Sequence, residues 1–571
     1  MKELTEEIKY SLGEKKADLV LKNASIVNVF TKKIIKNDVG IKDGKIVGIG
    51  RFSGEKEIDC SEKYVAPLFI DAHVHIESSM MTPSVFSQEV LKKGVGTIIA
   101  DPHEIANVLG EKGIEFMIND TADVGADIFY MLPSCVPATD IDDNGAEVGV
   151  KELKRLKKYN NVIGLGEVMD VPAVIAGRED MMQKLELFKD EIIDGHCPNI
   201  SKRWLNAYVD AGVVTDHECS TSREALEKIE LGMKILIREG SAAKDLKKVM
   251  SAVNIENSHM FCFCTDDRHI DDIIGEGTIN NCVKRAIELG MDPIMAYTLG
   301  SYNVARIYNL NDRGAVAPGF KADLLILDDL NDVSINRIIK NGKEITEHNI
   351  FVENKYIFEN TIKISEITSD MLKVKCEGDL INVIKVIPES IVTKKEVKEV
   401  VNDGEFITEV KGRRINKIAV FGRHTKSHKY SVGYIDGFGI KNCALAQSIS
   451  HDSHNIVCVG DSDEDMTKAV NKVIQMGGGI ALVCEGKIIE SIALPIGGLM
   501  TNMNPDFISG RIRRIKDVLK GKGISGGVDP LITLSFMSLT VIPTLKITPR
   551  GLYDYSINDF IPLFIKAHSN K

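Results

Sequence analysis

Eight short apolar runs alternate with helix-like stretches between residues 64 and 267, and this rhythm limits the available folds more than any other feature. The runs are YVAPLFIDAHVH, GVGTIIADPHE, DIFYMLPSC, NVIGLGEVMD, IIDGHCP, GVVTDHE, KILIREGS and HMFCFCTDD. Short apolar segments separated by helical ones mark parallel β/α units. Eight such units in about 200–250 residues match the size of a (β/α)8 barrel. Most of the runs end in residues that can ligate, titrate or form hydrogen bonds. Ordinary surface loops are polar too, but that alone predicts Ser, Asn and Lys rather than repeated His, Asp and Glu. Barrel enzymes carry their chemistry at the carboxyl ends of the strands.

The flanking regions read differently. Residues 18–65 alternate at period two, with turn-like DG and NA steps, as a small antiparallel β unit would. A similar pattern returns at 313–358, in RGAVAPGFKADLLILD and NRIIKNGKEI. Two β segments around one long insertion suggest a single composite domain. The expected fold is therefore α/β. It has a (β/α)8 TIM-like barrel at 66–312, a small composite β domain from 1–65 and 313–360, and a C-terminal α+β domain at 365–571 that caps the active site. Within the last region EDMTKAVNKVIQM reads as a helix. Gly477, Gly478 and Gly479 follow that helix and precede a strand, so they read as a helix stop. A phosphate-cradling loop would open a helix instead. FGRHTKSH places His424 and His428 in a basic, exposed loop.

Composition excludes several functions. The formal net charge of −11 is a poor match for nucleic acid or an anionic membrane. No apolar run approaches the roughly 20 residues that span a bilayer. The start, MKELTEEIKYSLGEKK, is charged and helix-like and lacks the apolar stretch of a signal peptide, which points to the cytoplasm. Eleven cysteines with no CxxC pair argue against a disulfide framework and against a Cys-type zinc site. Cys262 and Cys264 read as buried filler.

The chemistry lies at the ends of the runs. Residues i and i+2 of a strand face the same way, so His73 and His75 share one face of the first strand. Glu167 closes the fourth run, His196 the fifth, His217 the sixth and Asp266 the eighth. Four imidazoles and two carboxylates then converge at one end of the barrel. Divalent first-row metals accept both donor types. The set divides over two ions: His73, His75 and Asp266 on one, His196 and His217 on the other, with Glu167 bridging. If all six were instead independent core groups, each would have to be satisfied separately, because burying unpaired charge is costly.

This order of ligands resembles the amidohydrolase superfamily, many of whose members bridge the metals with a carboxylated lysine where this chain has Glu167. The longer motifs DAHVHIESSMMTP, DPHEIANVLG, PSCVPATD, DGHCP, IREGSAA, CTDDR and SHDSHNIVCVG resemble the adenine deaminases over nearly the whole chain. The resemblance implies hydrolysis of adenine to hypoxanthine and ammonia, with a small purine as partner. It implies two divalent cations, manganese or iron, with zinc as a further option. A homodimer is the usual state of such barrels. Attack on C6 then uses a metal-bound hydroxide, with Asp266 orienting it and moving its proton.

Asp101 joins Glu167 and Asp266 as a catalytic candidate, and Asp267, Glu77 and His103 are candidates for holding the substrate. Glu104 and Glu218 are further candidates for the remaining acid and binding roles. Plainer readings exist for several of these. Asp101 before Pro102 could cap a helix. Asp267 could pair with Arg268, and Arg238 with Glu239 across the rim. His451, Asp452 and His454 could bind metal or substrate, cap the barrel mouth, or form a turn before NIVCV. A dihydroorotase-like or guanine-directed hydrolase, or a non-catalytic barrel scaffold, are the competing functions.

Overall fold

In the computed structural model, residues 2–121, 125–346 and 359–565 are described. Residues 347–358 of the expected composite domain lie outside them.

The eight apolar runs become the strands Phe69–His75, Val95–Ala100, Asp127–Leu132, Val162–Val168, Ile192–Gly195, Thr215–Asp216, Lys234–Arg238 and Phe261–Cys264. The first five pair in order, all parallel. The last three do the same. The fifth and sixth meet where the Val214 N–H donates to the Ile193 carbonyl at 3.0 Å. The circle closes where the two-residue strand Asp266–Asp267 pairs with the first strand, Asp266 opposite Val74. Asp71 fastens the same joint, accepting from the Thr265 N–H (3.0 Å) and hydroxyl (2.5 Å). The first two strands are buried at every position, because side chains fill one face and helices cover the other. Cys262 and Cys264 are fully buried, as filler would be.

Residues before and after the barrel build one sheet. Its strand order is Lys343–Glu344, Ser334–Lys340, Leu324–Asp329, Tyr64–Pro67, Ala17–Asn28, Lys33–Lys42 and Lys45–Gly50, with Gly54–Asp59 also on Ala17–Asn28. The sheet is mixed rather than antiparallel. Gly54–Asp59 and Tyr64–Pro67 both pair in parallel with Ala17–Asn28. Alternation reports that one face is buried, and it cannot report strand direction.

The C-terminal region holds a nine-stranded sheet and a three-stranded one, with helices at Asp463–Gln475, Pro505–Gly521 and Pro530–Ser535. The helix Asp463–Gln475 is capped by Ser462, whose hydroxyl accepts from the Asp465 N–H. It carries three acids in its first turn, where the helix dipole favours them. It stops at the three glycines, which take positive φ of 73°, 118° and 135°.

Two expectations fail in this region. Cys443 and Cys484 lie opposite each other on adjacent antiparallel strands and form a disulfide. Pairing register brings together residues 41 apart, and cysteine spacing carried no sign of it. The FGRHTKSH segment is not wholly exposed either. His428 is exposed, whereas Arg423 is fully buried and His424 half-buried. Arg423 donates to the carbonyls of His454 and Gly497 and to the Thr361 hydroxyl. It therefore braces the turn that starts SHDSHN.

Candidate metal centre and active-site cleft

The carboxyl ends of the barrel strands open into a cleft, part of it continuous with solvent. Its floor carries His75, Glu167, His196, His217 and Asp266. Its outer wall comes from the C-terminal region, through Ile391, His451, Asp452, Phe536, Leu539, Val541 and Ile542. A largely apolar wall over a charged floor lowers the local dielectric and strengthens every polar contact on the floor.

Glu167 is the centre of the floor. Its Oε1 lies 2.9 Å from both His73 Nε2 and His75 Nε2. Its Oε2 lies 2.7 Å from His196 Nδ1 and 3.7 Å from His217 Nε2. Asp266 Oδ1 faces the same pair of histidines, 3.1 Å from His75 Nε2 and 3.8 Å from His73 Nε2. All six residues named from sequence thus meet at one rim. Five are buried and His196 is half-buried.

The donor set fits divalent cations. His73 Nε2 and His75 Nε2 point at each other across 3.2 Å. His75 Nδ1 is 3.0 Å from the Asp101 carbonyl and donates to it, so Nε2 turns its lone pair inward. Glu167 Oε1 is buried with no hydrogen-bond donor of its own. His73, Glu167, His217 and Asp266 can converge on one ion, and His196, His217 and Glu218 on a neighbouring one. Lone pairs crowded together in a buried site are what a cation relieves.

Titration follows the same crowding. Burial alone would raise the Glu167 pKa, but His217, His196, His73 and His75 hold it well below the usual carboxylate range. Burial, then the neighbouring His73, pushes His217 well below the usual imidazole value and keeps it neutral. Burial lowers His73, His75 and His196 as well, but the carboxylates of Glu167, Asp266 and Glu218 outweigh it and raise all three above the usual imidazole value, so without a cation these rings carry the charge that balances the acids.

The other candidates divide. Asp267 lines the cleft and accepts from the Ser78 hydroxyl at 2.5 Å. Arg268 does not pair with it and instead binds Glu276 and the Gly277 and Glu239 carbonyls. His103 also lines the cleft, with Nδ1 3.6 Å from Asp101 and Nε2 3.9 Å from Asp452. Burial and His75 lower its pKa, yet Asp101 and Asp452 carry it up to about 10. Asp101 sits beneath the floor and caps no helix, since the following helix starts from Pro102. Its Oδ2 accepts the Glu167 N–H at 3.0 Å. Gly166 makes that approach feasible, because a Cβ there would lie 2.1 Å from the same oxygen.

Glu77 is off the wall. The strand ends at His75 and the chain turns into the 3-10 helix Ile76–Ser79, so period two no longer applies. Glu77 instead accepts the Ile105 N–H at 3.0 Å. Glu104 is buried behind the cleft, where it accepts from Ser78 (2.8 Å) and lies 3.4 Å from His451 Nδ1. SHDSHN is both a turn and a wall. His454 N–H donates back to Ser450 while His451 and Asp452 face the cleft.

Arg238 does not pair with Glu239, the partner that their adjacency in sequence suggests. Successive strand residues face opposite ways. Arg238 faces the cleft and Glu239 faces outward to Arg285 at 2.9 Å. Strand alternation, applied to IREG, is the signal that would have found it.

Comparison with known proteins agrees with this arrangement. Residues 64–345 match the amidohydrolase family, and residues 390–558 match the adenine deaminase C-terminal domain. Residues 3–66 match the N-terminal domain of the urease α-subunit. An adenine deaminase of Clostridium acetobutylicum is 44% identical over 96% of this chain and 98% of its own length. The chain belongs to the adenine deaminase family. Other members include those of Kosmotoga olearia, 43% identical over 97% of both chains, and Listeria welshimeri, 42% identical over 98% of this chain and 99% of its own. Matches of this extent take in the C-terminal region, so the apolar wall belongs to the family's shared length. Among the described residues no helix is long and apolar enough to cross a membrane.

Proposed function

We propose that the chain hydrolyses adenine to hypoxanthine and ammonia at a centre of two divalent cations. The observation that carries the reading is Glu167 lying among four imidazoles, with Asp266 on the same floor of the cleft. His73, His75 and Asp266 would hold one cation and His196 and His217 the other, with Glu167 between them. Such cations, when bound, activate water for attack at neutral pH. Manganese or iron suits this imidazole and carboxylate set, and zinc is the alternative.

The chain's own residues do the rest. Asp266 Oδ1 faces the centre, placed to take a proton from the attacking water and pass it to the departing amine. Asp267 and His103 offer polar atoms from the cleft wall to the purine edge. Asp101 acts from below by holding the Glu167 backbone and orienting His75 through its carbonyl. Ile391, Phe536, Leu539, Val541 and Ile542 cover the apolar faces of the ring and keep bulk water out. Overall one water is consumed, the exocyclic C–N bond breaks, a C–O bond forms and ammonia leaves.

The test is ammonia release from adenine, guanine, cytosine and dihydroorotate with the cation-loaded protein. Release from adenine alone supports the reading. Release from any of the others with none from adenine overturns it.

A further inference from the structure

Strand seven ends in a residue that the reaction above does not use. Arg238 is buried at the cleft, and every nitrogen of its guanidinium is bound to a carboxylate. Nη1 donates to Asp266 Oδ2 at 2.9 Å and also to Glu218 Oε1. Nη2 donates to Asp245 Oδ2 at 3.1 Å and to Glu218 Oε2 at 3.3 Å, and Nε to Asp245 Oδ2 at 3.3 Å. Asp245 faces away from the centre and anchors the fork. Asp266 and Glu218 both line the cleft.

Glu218 matters because of where its held oxygen lies. Oε1 is 3.6 Å from His217 Nε2 and 3.9 Å from His196 Nδ1. Those separations are too long for hydrogen bonds. They are close to the edge of a ligand tetrahedron, about 3.4 Å for bonds of about 2.1 Å. Asp266 is held by one oxygen where Glu218 is held by two. Its Oδ2 is taken by Arg238, which leaves only Oδ1 for the cation side.

We propose that Glu218 is a further ligand of the cation at His196 and His217, and that Arg238 is a positioning residue that sets the spacing of the two cations by holding one carboxylate of each. The proposal rests on the two-cation reading. The planar fork is what makes the arrangement work. It grips Glu218 by both oxygens and Asp266 by Oδ2, so Asp266 keeps Oδ1 free and Glu218 Oε1 has a second lone pair left for the cation side. Lysine would keep the charge and lose the plane.

The test compares the full-length parent with Arg238→Lys and Glu218→Gln, each loaded with Mn²⁺. Three readouts are taken: cations bound per chain, exchange coupling between the two Mn²⁺ by electron paramagnetic resonance, and kcat and KM on adenine. Arg238→Lys is expected to bind two cations, to show altered coupling, and to lose about 10–100-fold in kcat. Its KM should stay within about threefold. Glu218→Gln is expected to weaken one cation by about 10–100-fold and leave the other unchanged. Coupling and kcat in Arg238→Lys equal to the parent's would overturn the positioning role while the two-cation reading stands. Equal loss of both cations in Glu218→Gln would overturn the ligand assignment. A parent that binds a single cation would overturn both the proposal and the reading under it.

Discussion

Replacing Gly166 by alanine should disable the site through one methyl group that never touches substrate. The new Cβ would lie 2.1 Å from Asp101 Oδ2 and 2.7 Å from its Cγ, whereas ordinary contact begins near 3.4 Å. Asp101 must therefore retreat by about 1 Å, and the adjoining strand ends are too closely packed to absorb it. The retreat breaks the 3.0 Å bond from the Glu167 N–H. It also shifts the Asp101 carbonyl that orients His75. Overpacking of a core costs about 1–3 kcal/mol. A buried N–H left unpaired costs about 1–3 kcal/mol more. The expected loss of stability is about 2–6 kcal/mol, and a displacement of this size can cost about 100-fold in rate. Urea denaturation and kcat/KM on adenine measure the two effects. Adding Asp101→Ala removes the clash, so the double variant should be no worse than Asp101→Ala alone. A Gly166→Ala protein within about threefold of the parent in kcat/KM, with an unchanged midpoint, would refute the coupling of Asp101 to Glu167.

Further predictions follow the same geometry. Asp266→Asn should keep most of the bound cation and lose about 10²–10⁴-fold in kcat, since the proton carrier is gone. A loss of less than about tenfold, measured with metal content in hand, would assign the proton to another group. Phe536 stacks on His451 with ring centroids 4.5 Å apart and lines the cleft. Phe536→Ala should raise KM on adenine by about tenfold and move kcat by less than about threefold, while a kcat effect larger than the KM effect would count against a covering role. Lys546 is fully buried, donating to the Ile391 and Phe536 carbonyls, and burial lowers its pKa from 10.5 to about 7. Between those two values the unfolded chain holds the proton and the folded chain does not, so this group makes stability rise with pH. Denaturation at pH 7 through 10 should show a shallower rise for Lys546→Met, and parallel curves would show that the ammonium is not desolvated as described.

Much of the floor was legible in sequence, and the reason is local. Each of the six donors closes an apolar run, and a strand end in a parallel barrel has one place to go. His73 and His75 needed only period two. The same rule, followed one step further, misplaced Glu77, because the strand stops at His75 and a tight helical turn re-aims the next residues. It would have placed Arg238 inward, where the adjacent opposite charge of Glu239 suggested a simpler partner. Asp101 was readable as important, but its role beneath Glu167 depends on Gly166, whose missing side chain is seen only once strands two and four lie together. The apolar wall was the least legible part. Phe536 and Ile542 meet the floor across some 270 residues of chain. Nothing in LSFMSLTVIP distinguishes a cleft wall from ordinary core.

The whole account depends on a pair of cations at one rim, and anomalous diffraction from crystals of the metal-loaded protein tests this most directly. The predicted map has two peaks, one among His73, His75 and Asp266 and one beside His196 and His217, with Glu167 between them. A single peak, or peaks away from Glu167, would contradict it.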